Sequence, residues 1–228
     1  MVSQSEFYVG YLPVPQRLRK AIRAIVGGLM LLAIAVGAVL IAGQMPFADS
    51  SFDYQRYREF QGTLLAEPIP ALLIPGQGSP WLLVGPGKHG PGDLRRFDGM
   101  RVTLTGERIS RGADQMIELR LGSLRASGTG VRPQSVTLGD VQLTGEIVDS
   151  KCYFGVMNPG NGKVHRDCAV RCISGGVPPA LLVRDASGTA RTVLLANWKR
   201  DLLGHVAEPI TLRGRLVQSA GRLTLYAE

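Results

Sequence analysis

An uncharged apolar run near the N-terminus constrains this chain more than any other feature. Residues 24–43 are 20 consecutive residues without a charged side chain, enough for a helix to span the ~30 Å hydrocarbon layer of a membrane. Arg17, Arg19, Lys20 and Arg23 precede the run, and aspartates follow it. The positive-inside rule therefore predicts a cytoplasmic tail (residues 1–23), a single-pass transmembrane helix (24–43) in the cytoplasmic membrane, and a periplasmic or otherwise extracytoplasmic bulk.

The alternative for this run is a cleaved secretory signal. The apolar core of a signal is usually about 7–15 residues long. The run here is longer, and no clear small-x-small cleavage motif follows it. We therefore expect an uncleaved anchor.

The charge pattern does not indicate a nucleic-acid partner. The net charge is +8, of which the first 23 residues supply +3 through four basic residues and Glu6. The remaining +5 is not gathered in a dense Lys/Arg run, and aromatic residues make up only 6% of the chain. A nucleic-acid interface requires clustered positive charge and stacking aromatics.

A strand pattern occurs twice after a polar tether over residues 44–58. Each copy has about five short apolar strands separated by Gly, Pro and Asp turns, and the clearest matching pair is 102–106 with 210–214. Glycine-rich, short-stranded units of this size are typical of OB-type barrels. We predict a mainly β chain with two tandem OB-like barrels, residues 59–125 and 141–228, joined by a linker over 126–140. The alternative is a single sandwich whose halves resemble each other by chance.

The second copy differs from the first by an insert between its first two strands. Gly62 and Ala71 are 9 residues apart, whereas the corresponding Gly145 and Ala180 are 35 apart, which leaves 26 extra residues. The insert, residues 150–178, contains every cysteine of the chain and one of its three histidines. Packing alone does not explain this concentration of reactive side chains, so the insert is the candidate site.

The spacing within the insert predicts a metal site. His165, Cys168 and Cys172 are spaced i, i+3 and i+7, which places them on one face of a short helix that Gly175–Gly176 would end. Cys152 can fold back onto that face. Three thiolates and an imidazole, in a loop with several basic residues, are a ligand set for Zn(II) or Cu(I).

Two neighbours of these residues have predicted supporting roles. Met157 could add a thioether ligand if the metal is copper. Asp149 is expected to orient the insert by accepting hydrogen bonds from the backbone or from His165.

Other chemistry remains open for the cysteines. Cys152 could instead form a disulfide with Cys168 or Cys172 that staples the insert to the barrel, with the third cysteine left over because their number is odd. The C-x3-C spacing without a following histidine does not match covalent haem attachment, and thiol exchange is the remaining alternative.

A glycine-rich loop in the first copy, residues 85–92, is a further candidate. It could cradle an anion or contribute His89 to the metal site, although a plain hairpin loop explains it as well. The sequence contains no nucleophile elbow, paired catalytic carboxylates or dinucleotide fingerprint. We therefore do not predict an enzyme.

The second copy resembles an uncharacterised OB-like domain of bacterial envelope proteins. The resemblance rests on Gly145-Glu-Ile-Val-Asp-Ser-Lys-Cys152, followed by His165-x-x-Cys168-Ala-x-x-Cys172 and Gly176-x-Pro178, which match the pattern G-x-V/I-V-D-x-x-C…H-x-x-C-A-x-x-C…G-x-P. It covers roughly residue 142 to the C-terminus. It implies a small periplasmic β-barrel with respiratory or redox partners, and it implies no activity.

Together these features predict an accessory protein of a membrane complex. The anchor would hold it beside a membrane partner, and the insert would make it metal-binding or redox-linked. The alternative function is a purely structural subunit whose cysteines form the loop-stapling disulfide, and a thiol oxidoreductase comes third.

Overall fold

The apolar run forms a long helix in the computed structural model, which describes residues 14–44 and 49–228. Helix α1 (Gln16–Ala42) starts directly after Pro15 and ends at Gly43. It contains a 25-residue stretch, Leu18–Ala42, with mean hydropathy 2.7, long and apolar enough to cross a membrane. Its large apolar side chains are exposed, as at Leu31 (70%).

The helix begins earlier than predicted from the apolar run. Arg19, Lys20 and Arg23 lie within α1, because basic residues are good helix formers and residues 16–26 contain neither Gly nor Pro. Residues 1–13 of the predicted tail and residues 45–48 of the predicted tether lie outside the described residues.

Residues 49–228 belong to a second structural unit, which is mainly β. Its first group of strands comprises β1 (Ser50–Phe52), β2 (Arg58–Leu65), β3 (Ala71–Leu73), β4 (Trp81–Val84), β5 (Met100–Arg111), β6 (Asp114–Leu119) and β7 (Arg125–Thr129). Its second group comprises β8 (Ser135–Asp149), β9 (Pro179–Arg184), β10 (Ala190–Ala196), β11 (Pro209–Ser219) and β12 (Arg222–Ala227). One helix, α2 (Arg166–Ser174), lies between β8 and β9.

The second group closes into a five-stranded barrel. Strand β8 pairs antiparallel with β9 and β11, β9 with β10, and β11 with β12, while β10 and β12 pair in parallel and complete the ring. Closure leaves no unpaired sheet edge. The insert leaves this barrel between β8 and β9, as the sequence predicts.

The first group forms a seven-stranded sheet that repeats these pairings. Strand β2 pairs antiparallel with β3 and β5, β3 with β4, and β5 with β6, while β4 and β6 pair in parallel. Each pairing has a counterpart of the same orientation in the barrel. Strands β1 and β7 are additions, and both pair with β5.

The regions predicted as tether (44–58) and linker (126–140) both contain strand. Ser50–Phe52 of the tether pairs with the end of β5, and the linker region 126–140 contains most of β7 and the start of β8. The start of β8 is exposed, yet it pairs with the far half of β11, from Ser135 opposite Ser219. Apolar alternation did not reveal these strands because backbone pairing does not require burial.

The two groups of strands pack on each other through a shared apolar cluster. Each group also has a core of its own. The shared cluster joins strand residues of both groups to the insert: Ile69, Ala71, Leu82, Val84, Ile109, Met116, Val148, Cys152, Tyr153, Phe154, Cys172, Val177, Ala180, Leu182 and Leu194. The segments of the insert that carry Cys152 and Cys172 are therefore packed against both groups of strands.

Candidate metal centre

The insert contains three short helical segments between β8 and β9. A π-helical turn spans Cys152–Val156, a 3-10 turn spans Lys163–His165, and α2 follows directly and ends at Gly175. The predicted helix is confirmed for Cys168 and Cys172, which are one turn apart on α2. His165 lies one residue before the helix, as its N-cap.

Close backbone approaches hold the first turn in place. A Cβ at Gly155 would lie 2.4 Å from the carbonyl oxygen of Ser51 in β1. Only glycine fits such a contact, and it sets the turn that carries Cys152 against the first group of strands. The side chains of Cys152, Tyr153 and Phe154 are all buried.

The three cysteine sulfurs converge. The Sγ atoms of Cys152, Cys168 and Cys172 all lie within 4.8 Å of one another, and those of Cys152 and Cys168 are 4.0 Å apart. All three are free thiols, two of them buried and Cys168 partly exposed. A soft metal ion can be reached by three sulfurs at this separation with small side-chain adjustments.

The imidazole belongs to a second, overlapping group. Ligand atoms of Asp149, Cys152 and His165 also lie within 4.8 Å of one another. Nε2 of His165 is 2.9 Å from Oδ2 of Asp149, and the two side chains are 3% and 0% exposed. The four predicted ligands thus form two groups that share Cys152, rather than one group of four.

Asp149 has the orienting role that the sequence predicts. Its Oδ1 accepts the backbone N–H of Cys152 at 2.8 Å, while Oδ2 contacts the His165 ring. One buried carboxylate therefore positions both the first cysteine and the histidine. A carboxylate bonded to one imidazole nitrogen is the usual support of a histidine that binds metal through its other nitrogen.

The ammonium group beside the thiols is that of Lys88, in the loop that follows β4. Nζ of Lys88 lies 2.8 Å from Sγ of Cys168 and 3.8 Å from Sγ of Cys172. The sequence singled out this loop and proposed His89 as its contribution. The residue that reaches the cysteines is Lys88, which sequence reasoning missed because nothing in its spacing marks it.

The loop and the insert are joined through glycine backbones. The N–H of Gly90 donates to the carbonyl of Gly175 at 2.9 Å, and a Cβ at Gly175 would lie only 1.9 Å from the carbonyl oxygen of Lys88. The glycine that ends α2 is thus also the residue that lets the Lys88 loop approach.

The basic residues of the insert itself point elsewhere. Lys151 is buried and donates to the carbonyls of Gly85 and Gly87 at 2.9 and 2.6 Å, and Lys163 is exposed. Arg166 pairs with Glu208 at 2.7 Å. The basic environment predicted for the thiolates therefore exists, but its ammonium is that of Lys88.

These contacts shift the pKa values of Cys152 and Cys172 in opposite directions. A hydrogen bond from Cys152, followed by the charge of Lys88, outweighs burial and lowers the pKa of Cys172 to about 7. The same hydrogen bond, burial and the negative charge of Asp149 raise the pKa of Cys152. The hydrogen bond to Cys168 raises the pKa of Lys88. The lowered pKa favours the thiolate form of Cys172, which is the form that binds metals.

The structure does not test two of the predictions. Met157 is 45% exposed, and its part in a copper site stays a hypothesis. A disulfide between Cys152 and Cys168 would need sulfurs about 2 Å apart, so forming it from the present 4.0 Å requires movement of the insert.

Comparison with known proteins identifies no relative. No family model, no curated protein and no solved structure matches this chain.

Proposed function

We propose that this chain is a membrane-anchored, extracytoplasmic accessory protein that holds a thiophilic metal ion, Zn(II) or Cu(I), at Cys152, Cys168, Cys172 and His165. The observation that carries the proposal is the convergence of three sulfurs within 4.8 Å beside the buried Asp149–His165 pair. Packing does not require three thiols and a carboxylate-supported imidazole at one point, whereas a metal site does.

Charge balance favours Zn(II) over Cu(I). Three thiolates and Zn(II) carry one net negative charge, which the ammonium of Lys88 offsets at 2.8 Å. Three thiolates and Cu(I) carry two, so a copper site keeps one more negative charge than a zinc site beside the buried carboxylate of Asp149. Zn(II) takes four ligands, and His165 would have to approach the three sulfurs to be the fourth, whereas Cu(I) accepts the three sulfurs alone.

The anchor and the barrels define the setting of the site. We propose that α1 spans the cytoplasmic membrane with its basic N-terminal end inside, in accordance with the positive-inside rule. The shared pairing pattern supports two tandem OB-like barrels, a fold that offers docking surface through its loops. The resemblance to an envelope domain supports a partner in a membrane complex. A bound metal would also protect thiols that oxidise readily outside the cytoplasm.

Metal analysis of the full-length protein tests the proposal. We expect protein purified in detergent without oxygen to contain one metal ion per chain and to show no reactive thiols until a chelator is added. Cys168→Ser should abolish stoichiometric metal. Asp149→Asn should weaken binding by about 10–100-fold, because it removes the support of His165.

A histidine pair supplies the matched control. His165→Asn should lower zinc affinity, whereas His205→Asn should not, because His205 is exposed outside the insert. Metal retained in the Cys168→Ser variant would refute the proposal.

A structural disulfide is the second candidate, because the sulfurs of Cys152 and Cys168 are neighbours, 4.0 Å apart. It predicts two oxidised cysteines, one free thiol and no metal in protein prepared in the same way. Turnover of a disulfide substrate would instead indicate a thiol oxidoreductase.

A further inference from the structure

A second polar site lies in a cavity between the two groups of strands. The cavity has a volume of about 580 Å³. The turn between β5 and β6 lines one side with Arg111 and Asp114, and β10 and β12 line the other with Arg191 and Arg222. Tyr153 of the insert completes the wall. None of these side chains belongs to the candidate metal centre.

Two arginines in this wall lack acceptors for buried nitrogens. Nε and Nη2 of Arg111 and Nε of Arg222 are buried, and none has a hydrogen-bond partner among the described residues. The side chain of Arg222 is only 9% exposed. A buried guanidinium nitrogen without an acceptor costs free energy, and folded proteins nearly always provide one.

One carboxylate of the wall is already used. Oδ1 of Asp114 accepts from Nη1 of Arg222 at 3.1 Å, and Oδ2 accepts from the hydroxyl of Thr192 at 2.6 Å. The guanidinium of Arg111 stacks 4.3 Å from the centre of the Tyr153 ring, which orients it without satisfying its N–H groups. Neither contact supplies an acceptor for Arg111.

The charge of the cavity is positive. Three arginines, Arg111, Arg191 and Arg222, face two aspartates, Asp49 and Asp114, which leaves one net positive charge. Arginine presents a planar fork of donors that matches carboxylate and phosphate oxygens. The volume is in the range of pockets that hold small molecules.

We propose that this cavity binds a small molecule through a carboxylate or phosphate group, with Arg111 and Arg222 as its principal donors. The oxyanion would lie against the two guanidinium groups and offset the net positive charge of the cavity wall. Since Arg111 comes from the first group of strands and Arg222 from the second, a bound anion also bridges the two groups.

Binding is tested with two probes, inorganic phosphate and malonate, on the full-length protein in detergent. Thermal unfolding is followed at each concentration, with chloride at the same ionic strength as the reference. We expect at least one probe to raise the unfolding temperature saturably beyond chloride. The probe that does so identifies the group, phosphate or carboxylate.

Variants locate the binding to the cavity. Arg111→Gln should weaken it by about tenfold or more, because it removes a charged donor. Arg120→Gln is the matched control, since Arg120 also stacks on a tyrosine, Tyr57, at 5.3 Å but is exposed outside the cavity. Ala113→Glu adds a negative charge at an exposed turn residue of the cavity wall and should abolish binding even if Arg111→Gln does not fold.

Two results would overturn the proposal. One is the absence of saturable stabilisation by either probe beyond the chloride reference. The other is an affinity in Ala113→Glu equal to that of the unaltered chain.

Discussion

Lys151→Met is the substitution that tests most directly how the insert joins the two groups of strands. The side chain of Lys151 is 3% exposed, and its Nζ lies 2.5 Å from Oε2 of Glu118. It also donates to the carbonyls of Gly85 and Gly87. All three acceptors belong to the first group of strands or its loop, whereas Lys151 follows the first strand of the barrel.

The expected loss of stability follows from the acceptors that the substitution leaves without a donor. Methionine replaces the aliphatic stem of the lysine, so little volume is lost, but one carboxylate and two carbonyls lose their donor. Removing one partner of a buried ion pair costs about 3–5 kcal/mol. Glu118 is 14% exposed and keeps some contact with water, so we expect the lower end, about 3 kcal/mol.

Urea unfolding of the full-length protein in detergent measures this loss. With a slope of about 2 kcal/mol per molar urea, the midpoint should fall by about 1.5 M. The two tryptophans report separately, since Trp81 lies in β4 and Trp198 follows β10. Single-tryptophan backgrounds, Trp81→Phe and Trp198→Phe, should show the same shift because Lys151 connects both groups.

The exposed Lys163 of the same insert provides the control. Lys163→Met should change the free energy of unfolding by less than about 0.5 kcal/mol. A Lys151→Met effect no larger than this control would refute the reasoning. A shift seen only through Trp198 would show that Lys151 does not connect the two groups.

Two further predictions concern the contact between the Lys88 loop and the thiols. Gly175→Ala should lower the free energy of unfolding, measured in urea, by about 1–3 kcal/mol, because the added Cβ would overlap the carbonyl of Lys88. Gly78→Ala is the control and should have no such effect, since a Cβ there would have no atom within 4 Å. Equal effects of the two substitutions would contradict the close approach. In the metal-free chain, a thiolate seen by ultraviolet absorbance should appear with a pKa of about 7, that of Cys172. Since a lowered pKa stabilises the folded state above the ordinary thiol value, this contribution is lost as the pH falls through about 7. Lys88→Met should raise the pKa by removing a positive charge, and an unchanged titration would show that Lys88 does not act on the thiols.

Local pattern was enough to predict the elements whose residues are close in sequence. The apolar run of 24–43 predicted α1 because twenty uncharged residues have few other stable arrangements. The spacing of Cys168 and Cys172 predicted a helix that places both on one face, and Gly175 marked its end. The extra length before Ala180 located the insert between the first two strands of the barrel.

The hydrophobic pattern of the sequence did not predict the exposed strands. Strand β7 has only polar or small, exposed residues, and β1 is only three residues long, so apolar alternation gave no signal for them. The start of β8 alternates Val136 and Leu138 with polar residues, but these apolar side chains are exposed. These strands form because a neighbouring strand offers unpaired backbone groups, which is a property of the assembled sheet.

Sequence alone determined which residues form the candidate site: three cysteines and His165 gathered in one insert, with Asp149 beside them. Only the tertiary structure decided what surrounds them. Lys88 contacts Cys168, which is 80 residues away in the chain. Arg111 stacks on Tyr153 and lines the same cavity as Arg222, which belongs to the other group of strands. Periodicity describes neighbours along the chain, whereas these contacts exist because a shared apolar core holds two separately paired sets of strands together.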